Sequence, residues 1–149
     1  MAGKNKIERG FRIYWDDSGT TARDLTGDLI PGTITGGGLK LDEVDFTGGS
    51  DYVKKALGGF AESPVSGQFH MNDTATTGAT TVLNGTINTI GTLTLQWGQN
   101  GAAPTTNDLE WEGEYVLIDA SITTSNGKFI HNVEWRPAAG QSDPAWGTV

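Results

Sequence analysis

Three stretches of the chain alternate apolar and polar residues with a period of two. Val65, Gly67, Phe69 and Met71 interleave with Ser66, Gln68, His70 and Asn72. Leu93, Leu95 and Trp97 interleave with Thr92, Thr94 and Gln96. Phe129, His131, Val133 and Trp135 interleave with Ile130, Asn132 and Glu134. Successive side chains of a strand point to opposite faces, so each stretch predicts a strand with one face on a core and one on water. Residues 109–123 carry the longest strand signal, and Asn126-Gly127 behind them is a strong hairpin signal. Residues 11–15 have strand-forming types and run into the turn residues Asp16-Asp17-Ser18-Gly19. Residues 25–34 read as a broken strand or hairpin turning at Pro31-Gly32. In residues 39–46 the apolar face switches from Leu39 and Leu41 to Val44 and Phe46, which predicts a bulge near Asp42-Glu43.

Helix signals are few. Residues 50–58 carry the best set: Ser50 as N-cap, Asp51 at the positive end, Lys54 and Lys55 at the negative end, and Gly58 as the stop. A helix this short needs packing to exist, with Tyr52 or Val53, Ala56 and Leu57 toward the core. Residues 77–85 predict a second, weaker helix, capped by Thr77 and ended by Gly85. The expected fold is mainly β: an antiparallel sandwich or barrel with one flanking short α-helix. The expected organisation is an N-terminal arm (1–10), a β domain (11–136) and a Pro/Gly-rich C-terminal arm (137–149) tipped by Trp146.

The acid pattern sharpens this picture. Asp108, Glu110, Glu112 and Glu114 fall on one face of the longest strand, with Leu109, Trp111 and Tyr115 on the other. No lysine or arginine occurs between Lys55 and Lys128. Like charges two apart on one face repel, and exposed strands usually intersperse lysine. The row reads either as an ordinary solvent-facing strand or as a surface meant to stay negative. The net charge of −8 argues against binding modes that grip phosphates through Lys and Arg.

Chemistry finds little support. The chain has no cysteine, which excludes disulfides, thiolate metal sites and cysteine nucleophiles. His70 and His131 each sit in an alternating strand, and nothing around Ser66 resembles a nucleophile turn. Asp16-Asp17 and Asp42-Glu43 with Asp45 match no calcium-loop spacing. Gly36-Gly37-Gly38 lacks the Lys-Ser/Thr of a phosphate loop. Asn72-Asp73-Thr74 and Asn84-Gly85-Thr86 match glycosylation acceptors, but Lys4, Lys6 and Arg9 are followed by no apolar run that would make a secretory signal. No stretch approaches a membrane helix in length. No enzyme, cofactor or metal is expected.

The order of motifs resembles a known family. Trp15-Asp16-Asp17-Ser18-Gly19 is followed by Asp24-Leu25-Thr26-Gly27-Asp28. Next come Gly38-Leu39-Lys40-Leu41-Asp42-Glu43-Val44-Asp45, then residues 50–57 with Gly58-Gly59 behind them. Val65-Ser66-Gly67-Gln68-Phe69 leads into Asn72-Asp73-Thr74-Ala75-Thr76-Thr77-Gly78. This resembles the major tail, or tail tube, proteins of long-tailed bacteriophages with non-contractile tails, over about residues 11–135. The resemblance implies a β-sandwich or barrel with a flanking helix and hexameric rings stacked into a hollow tube. It implies a lumen that conducts DNA without binding it specifically, and loops and arms that clamp ring to ring. It also implies a tape measure protein and a tail terminator as partners, a place in the virion tail, synthesis in the bacterial cytoplasm and no catalytic residue. Glu110, Glu112 and Glu114, with Asp108, are then candidates to line the lumen. Lys4, Lys6, Arg9, Arg12, Asp42, Glu43, Asp45 and Trp146 are candidates to contact neighbouring subunits. The rivals are a head-decoration or head–tail joining protein and a β-sandwich carbohydrate-binding module using its tryptophans.

Overall fold

The computed structural model describes residues 5–149; Lys4 lies outside the described residues. Nine strands and one short helix follow one another: β1 (Phe11–Asp16), β2 (Ala22–Asp24), β3 (Lys40–Asp45), β4 (Ala56–Glu62), β5 (Val65–His70), α1 (Ala79–Asn84), β6 (Ile90–Trp97), β7 (Leu109–Ser125), β8 (Lys128–Pro137) and β9 (Ala145–Thr148). Every pairing between these strands is antiparallel. The mainly-β architecture with one short helix is what the alternation predicts.

Seven strands form the main sheet, in the order β2-β1-β6-β7-β8-β5, with β9 also on β7. β7 organises it. Its first half pairs with β6 along one edge and with β9 along the other, and its second half pairs with β8. The register shifts between Leu117 and Asp119, and such a bulge bends a strand and deepens its twist. The sheet curls toward closure. Residues 25–35 run from β1, where Leu25 N–H donates to Ile13 O, to β5, where bridges join Leu29 to Phe69 and Thr35 to Ser66.

The period-two pattern places the core. Phe11, Ile13 and Trp15 from β1 meet Leu93 and Leu95 from β6, Trp111, Tyr115 and Leu117 from β7, Val133 and Trp135 from β8, and Val65 and Phe69 from β5. Trp15 packs on Trp135 at 5.8 Å and Phe69 meets Trp135 edge-on at 6.1 Å. The Trp15 indole donates to Thr86 Oγ1 at 2.8 Å, so its buried N–H is satisfied. Asn126 and Gly127 both take positive φ, 50° and 77°, between the paired Ser125 and Lys128, the turn that Asn-Gly specifies.

The structure departs from the sequence expectation at the helices. Residues 50–58 form no helix. Asp51 accepts Gly48 N–H at 2.7 Å and pairs with Lys55 at 3.0 Å, closing a loop, and Ala56 begins β4. The cap signals were real local contacts, but no core lies beneath this segment, and an isolated helix of that length is unstable in water. Pairing with β3 satisfies the backbone instead. The weaker segment supplies α1, because Ala79, Val82 and Leu83 reach the core. Its N-terminus is capped by Asp28, whose carboxylate accepts Ala79 N–H at 3.1 Å. The bulge expected near Asp42-Glu43 is present: the register shifts between Leu41 and Glu43.

The C-terminal segment is also no free arm. β9 pairs along Leu109–Glu112, and Trp146 packs on Trp111 at 4.9 Å and on Trp97 at 5.6 Å.

Candidate assembly surfaces

Two surfaces stand out. The first is the water-facing side of β1, β6 and β7. Cross-strand register places Gln96 opposite Glu110, Thr94 opposite Glu112 and Thr92 opposite Glu114. Each neutral side chain donates to the carboxylate beside it: Gln96 Nε2 to Glu110 at 2.7 Å, Thr94 Oγ1 to Glu112 at 3.0 Å, and Thr92 Oγ1 to Glu114 at 2.6 Å. No ion pair among the described residues involves these three acids. Thus the row is oriented by neutral donors and keeps its charge. Asp16 extends it by accepting Thr92 N–H at 3.0 Å. Arg12 lies opposite Gln96 but donates to the carbonyls of Phe11 and Arg9. Tyr14 lies opposite Asp24, and burial, then that carboxylate, push its phenol above its ordinary value. On the other side of β7, Gly147 and Ala145 face Glu110 and Glu112, and such small residues cannot cover them.

Asp108 does not belong to this row. It is buried, accepts Thr105 N–H at 2.8 Å and pairs with Lys6 at 3.1 Å. The Thr105 bond first, and Lys6 next, hold its carboxyl below the usual range. Strand parity placed it with the glutamates, but β7 begins at Leu109 and parity has no meaning outside the strand. The pairing cation was invisible because Lys6 is 102 residues away.

The second surface is the β3–β4 hairpin. Every residue of both strands is exposed, and together with its turn it leaves Leu41, Phe46, Tyr52, Val53, Leu57 and Phe60 largely in solvent. A lone two-stranded hairpin is marginally stable in water, and an apolar patch this extended marks an interaction site. Its neck is held firmly. Gly36, Gly37 and Gly38 all take positive φ, and a Cβ on Gly37 or Gly38 would lie 3.0 Å from Trp97 or 3.3 Å from Trp146. The triple glycine is therefore a bend pressed against two indoles.

The remaining candidates fall into place singly. Asp42 and Glu43 are exposed on β3, while Asp45 accepts Thr47 N–H at 2.8 Å and shapes its own turn. Lys6 is committed to Asp108 and to Trp97 O. Arg9 lies against Gly101. His131 is buried between Thr80 Oγ1 and Ala120 O, both at 3.0 Å, a packed core histidine. Three of the five tryptophans, Trp15, Trp111 and Trp135, are fully buried. They offer no sugar-stacking platform, and this removes the main support for a carbohydrate-binding module.

No family model matches the sequence, and no curated protein is significantly similar to it. The fold, however, is shared with solved tail assemblies. A chain of the anti-feeding prophage (AFP) baseplate, solved with sixfold symmetry, aligns with 92% of this chain and 91% of its own at a TM-score of 0.63 and 13% identity. A chain from the tail of an empty GTA particle, refined helically with C6 symmetry, aligns over 94% and 99% at 0.57 and 16% identity. A chain of the PVC sheath-tube complex, from an extracellular contractile injection system in the extended state, aligns over 99% and 94% at 0.58 and 12% identity. The chain has the fold of tail-type structural components. One of these neighbours comes from a contractile system, so the likeness does not single out the non-contractile tails named from the sequence.

Proposed function

We propose that this chain is a structural tail protein of a phage-like particle. It closes into hexameric rings that stack into a hollow tube, and the Glu110–Glu112–Glu114 face turns toward the lumen. The observation that carries the reading is the β3–β4 hairpin: two strands with an apolar surface and no covering layer, on a fold shared with sixfold tail assemblies. A surface of that kind is completed by a partner, and a heterologous contact between copies builds rings or open filaments.

The acidic face supports the conduit. Duplex DNA carries about one negative charge per 1.7 Å of axis, and lysines lining a channel would hold it by counterion release. Carboxylates tied to threonine and glutamine hydroxyls and amides repel it evenly and let it slide. No catalytic step is required. A tape measure protein inside the tube and a terminator at its end are the further partners of this reading, and the virion tail is its location.

Negative-stain microscopy of the purified protein at high concentration tests it. Regular hollow rods are expected. Oligomers that bind only to heads would replace the reading with a decoration or head–tail joining protein. Single rings that never elongate would favour a baseplate-proximal ring, the variant to which the AFP baseplate likeness lends weight.

A further inference from the structure

The turn of the β3–β4 hairpin combines apolar and basic groups. Phe46, Tyr52 and Val53 stand in solvent, with Tyr52 fully exposed. Lys54 follows them with no ion pair among the described residues, whereas Lys55 is held by Asp51. A partner for this tip needs an apolar patch edged with acid.

Outside the hairpin, three places on the described surface gather half-exposed or exposed apolar residues. Ile122 and Phe129 lie near the β7–β8 turn, beside Lys128. Leu109, Trp146 and Val149 lie where β9 meets β7, beside the Lys6–Asp108 pair, whose charges cancel. The third is made by Ile87, Ile90 and Ile118, each about half exposed. Backbone pairing brings them together: Ile87 bridges to Leu117, Asn88 N–H donates to Leu117 O, and Ile90 sits opposite Val116. Its border is acidic. Glu114 is two residues before Val116 and bonds Thr92, Asp16 bonds the same Thr92, and Asp119 follows Ile118. The cation at this edge, Arg136 opposite Val116, is paired with Glu134 at 2.9 Å.

Resting on the tube reading above, we infer that the hairpin tip of one subunit, Tyr52 with Val53 and Lys54, docks on the Ile87–Ile90–Ile118 patch of a second copy of this chain. Charge complementarity selects this patch over the other two: Lys128 would repel Lys54, and the neutralised Lys6–Asp108 pair would not attract it. Donor and acceptor surfaces differ, so every subunit offers both, and the contact propagates rather than ending at a dimer. The apolar residues supply the buried area and the acids fix the orientation of approach.

The chain has no cysteine, so an engineered pair reports this contact without background. Tyr52→Cys and Ile90→Cys are placed in one chain, the protein is concentrated, and a short bis-maleimide is added. Folding is checked by circular dichroism, and both sites are exposed enough to accept the change. The expected result is a covalent ladder beyond dimer on a denaturing gel, absent from the Tyr52→Cys, Phe129→Cys pair. Adding Lys54→Glu should raise the concentration needed for the ladder by about tenfold. If the wild type forms rods but the Tyr52/Ile90 pair stays monomeric, or if the Phe129 pair links equally well, the docking site is wrong and the tube stands. A ladder without rods keeps the contact and removes the tube. Neither ladder nor rods removes both.

Discussion

Tyr115 donates its hydroxyl proton to Ser63 across the neck of the hairpin, at 3.1 Å. The direction follows by elimination. Ser63 has one hydroxyl proton and gives it to Gly38 O at 2.9 Å, while Tyr115 Oη accepts the Trp111 indole N–H at 2.9 Å. A single run of hydrogen bonds therefore leads from the centre of the core through Tyr115 to both ends of the β3–β4 hairpin. The unsupported hairpin is aimed by a buried tyrosine.

Tyr115→Phe breaks this run and leaves the buried Trp111 N–H without its acceptor. It should cost about 1–3 kcal/mol, a fall in Tm of several degrees for a domain of this size. Amide exchange at the base of the hairpin, around Lys40 and Glu62, should accelerate more than exchange in β6. Equal acceleration in both places would mean that the tyrosine supports the core and does not aim the hairpin.

The acidic row makes a separable prediction. Lysine at Glu110 and Glu112 keeps the outer face polar and disturbs no core contact, so folding and rod formation should survive. Genome ejection from particles built with the double variant should slow or stop, because the bore would then hold phosphates. Normal ejection kinetics would take this face out of the lumen.

Acid should weaken the fold through a few aspartates. The carboxyl of Asp108 is held low by Thr105 and Lys6, that of Asp17 by Thr21 and Arg23, and that of Asp51 by Gly48 and Lys55. Groups lowered in the folded state add stability above their unfolded pKa, about 3.9 for aspartate, and lose it as pH falls through the folded value. Melting temperature should be flat from neutrality to about pH 5 and decline below it. Asp108→Asn should lower stability at pH 7 and flatten the acid limb. An acid limb identical to that of the wild type would show that Lys6–Asp108 contributes nothing to it.

β9 should be worth more than its four exposed residues suggest. Trp146 is 51% exposed, yet it rests edge-on against Trp111 and against Trp97 and Gly38. Trp146→Ala should cost about 1–2 kcal/mol through lost area and aromatic contact. Removal of residues 145–149 should in addition expose the edge of β7 and shift tryptophan emission to the red. Unchanged emission after truncation would mean that β9 leaves Trp97 and Trp111 as covered as before.

Much of this molecule is written in short-range pattern. Alternation in residues 65–71, 92–97 and 129–135 determined strands and their buried faces, because side-chain direction in a strand depends only on parity. Asn126-Gly127 determined a hairpin, because two adjacent positive φ angles suit those residues. The face switch in residues 39–46 determined a bulge, and the acids of residues 110–114 determined a negative face. Only the tertiary structure decided between two weak helices. The caps around Ser50 and Gly58 were the better local signal, but Ala79, Val82 and Leu83 had a core to pack on. Only it could set Lys6 beside Asp108, lay β9 on β7 or press Gly37 and Gly38 against Trp97 and Trp146. Local geometry is chosen by neighbours in the chain, whereas burial and long-range pairing are chosen by whatever the closed sheet brings near.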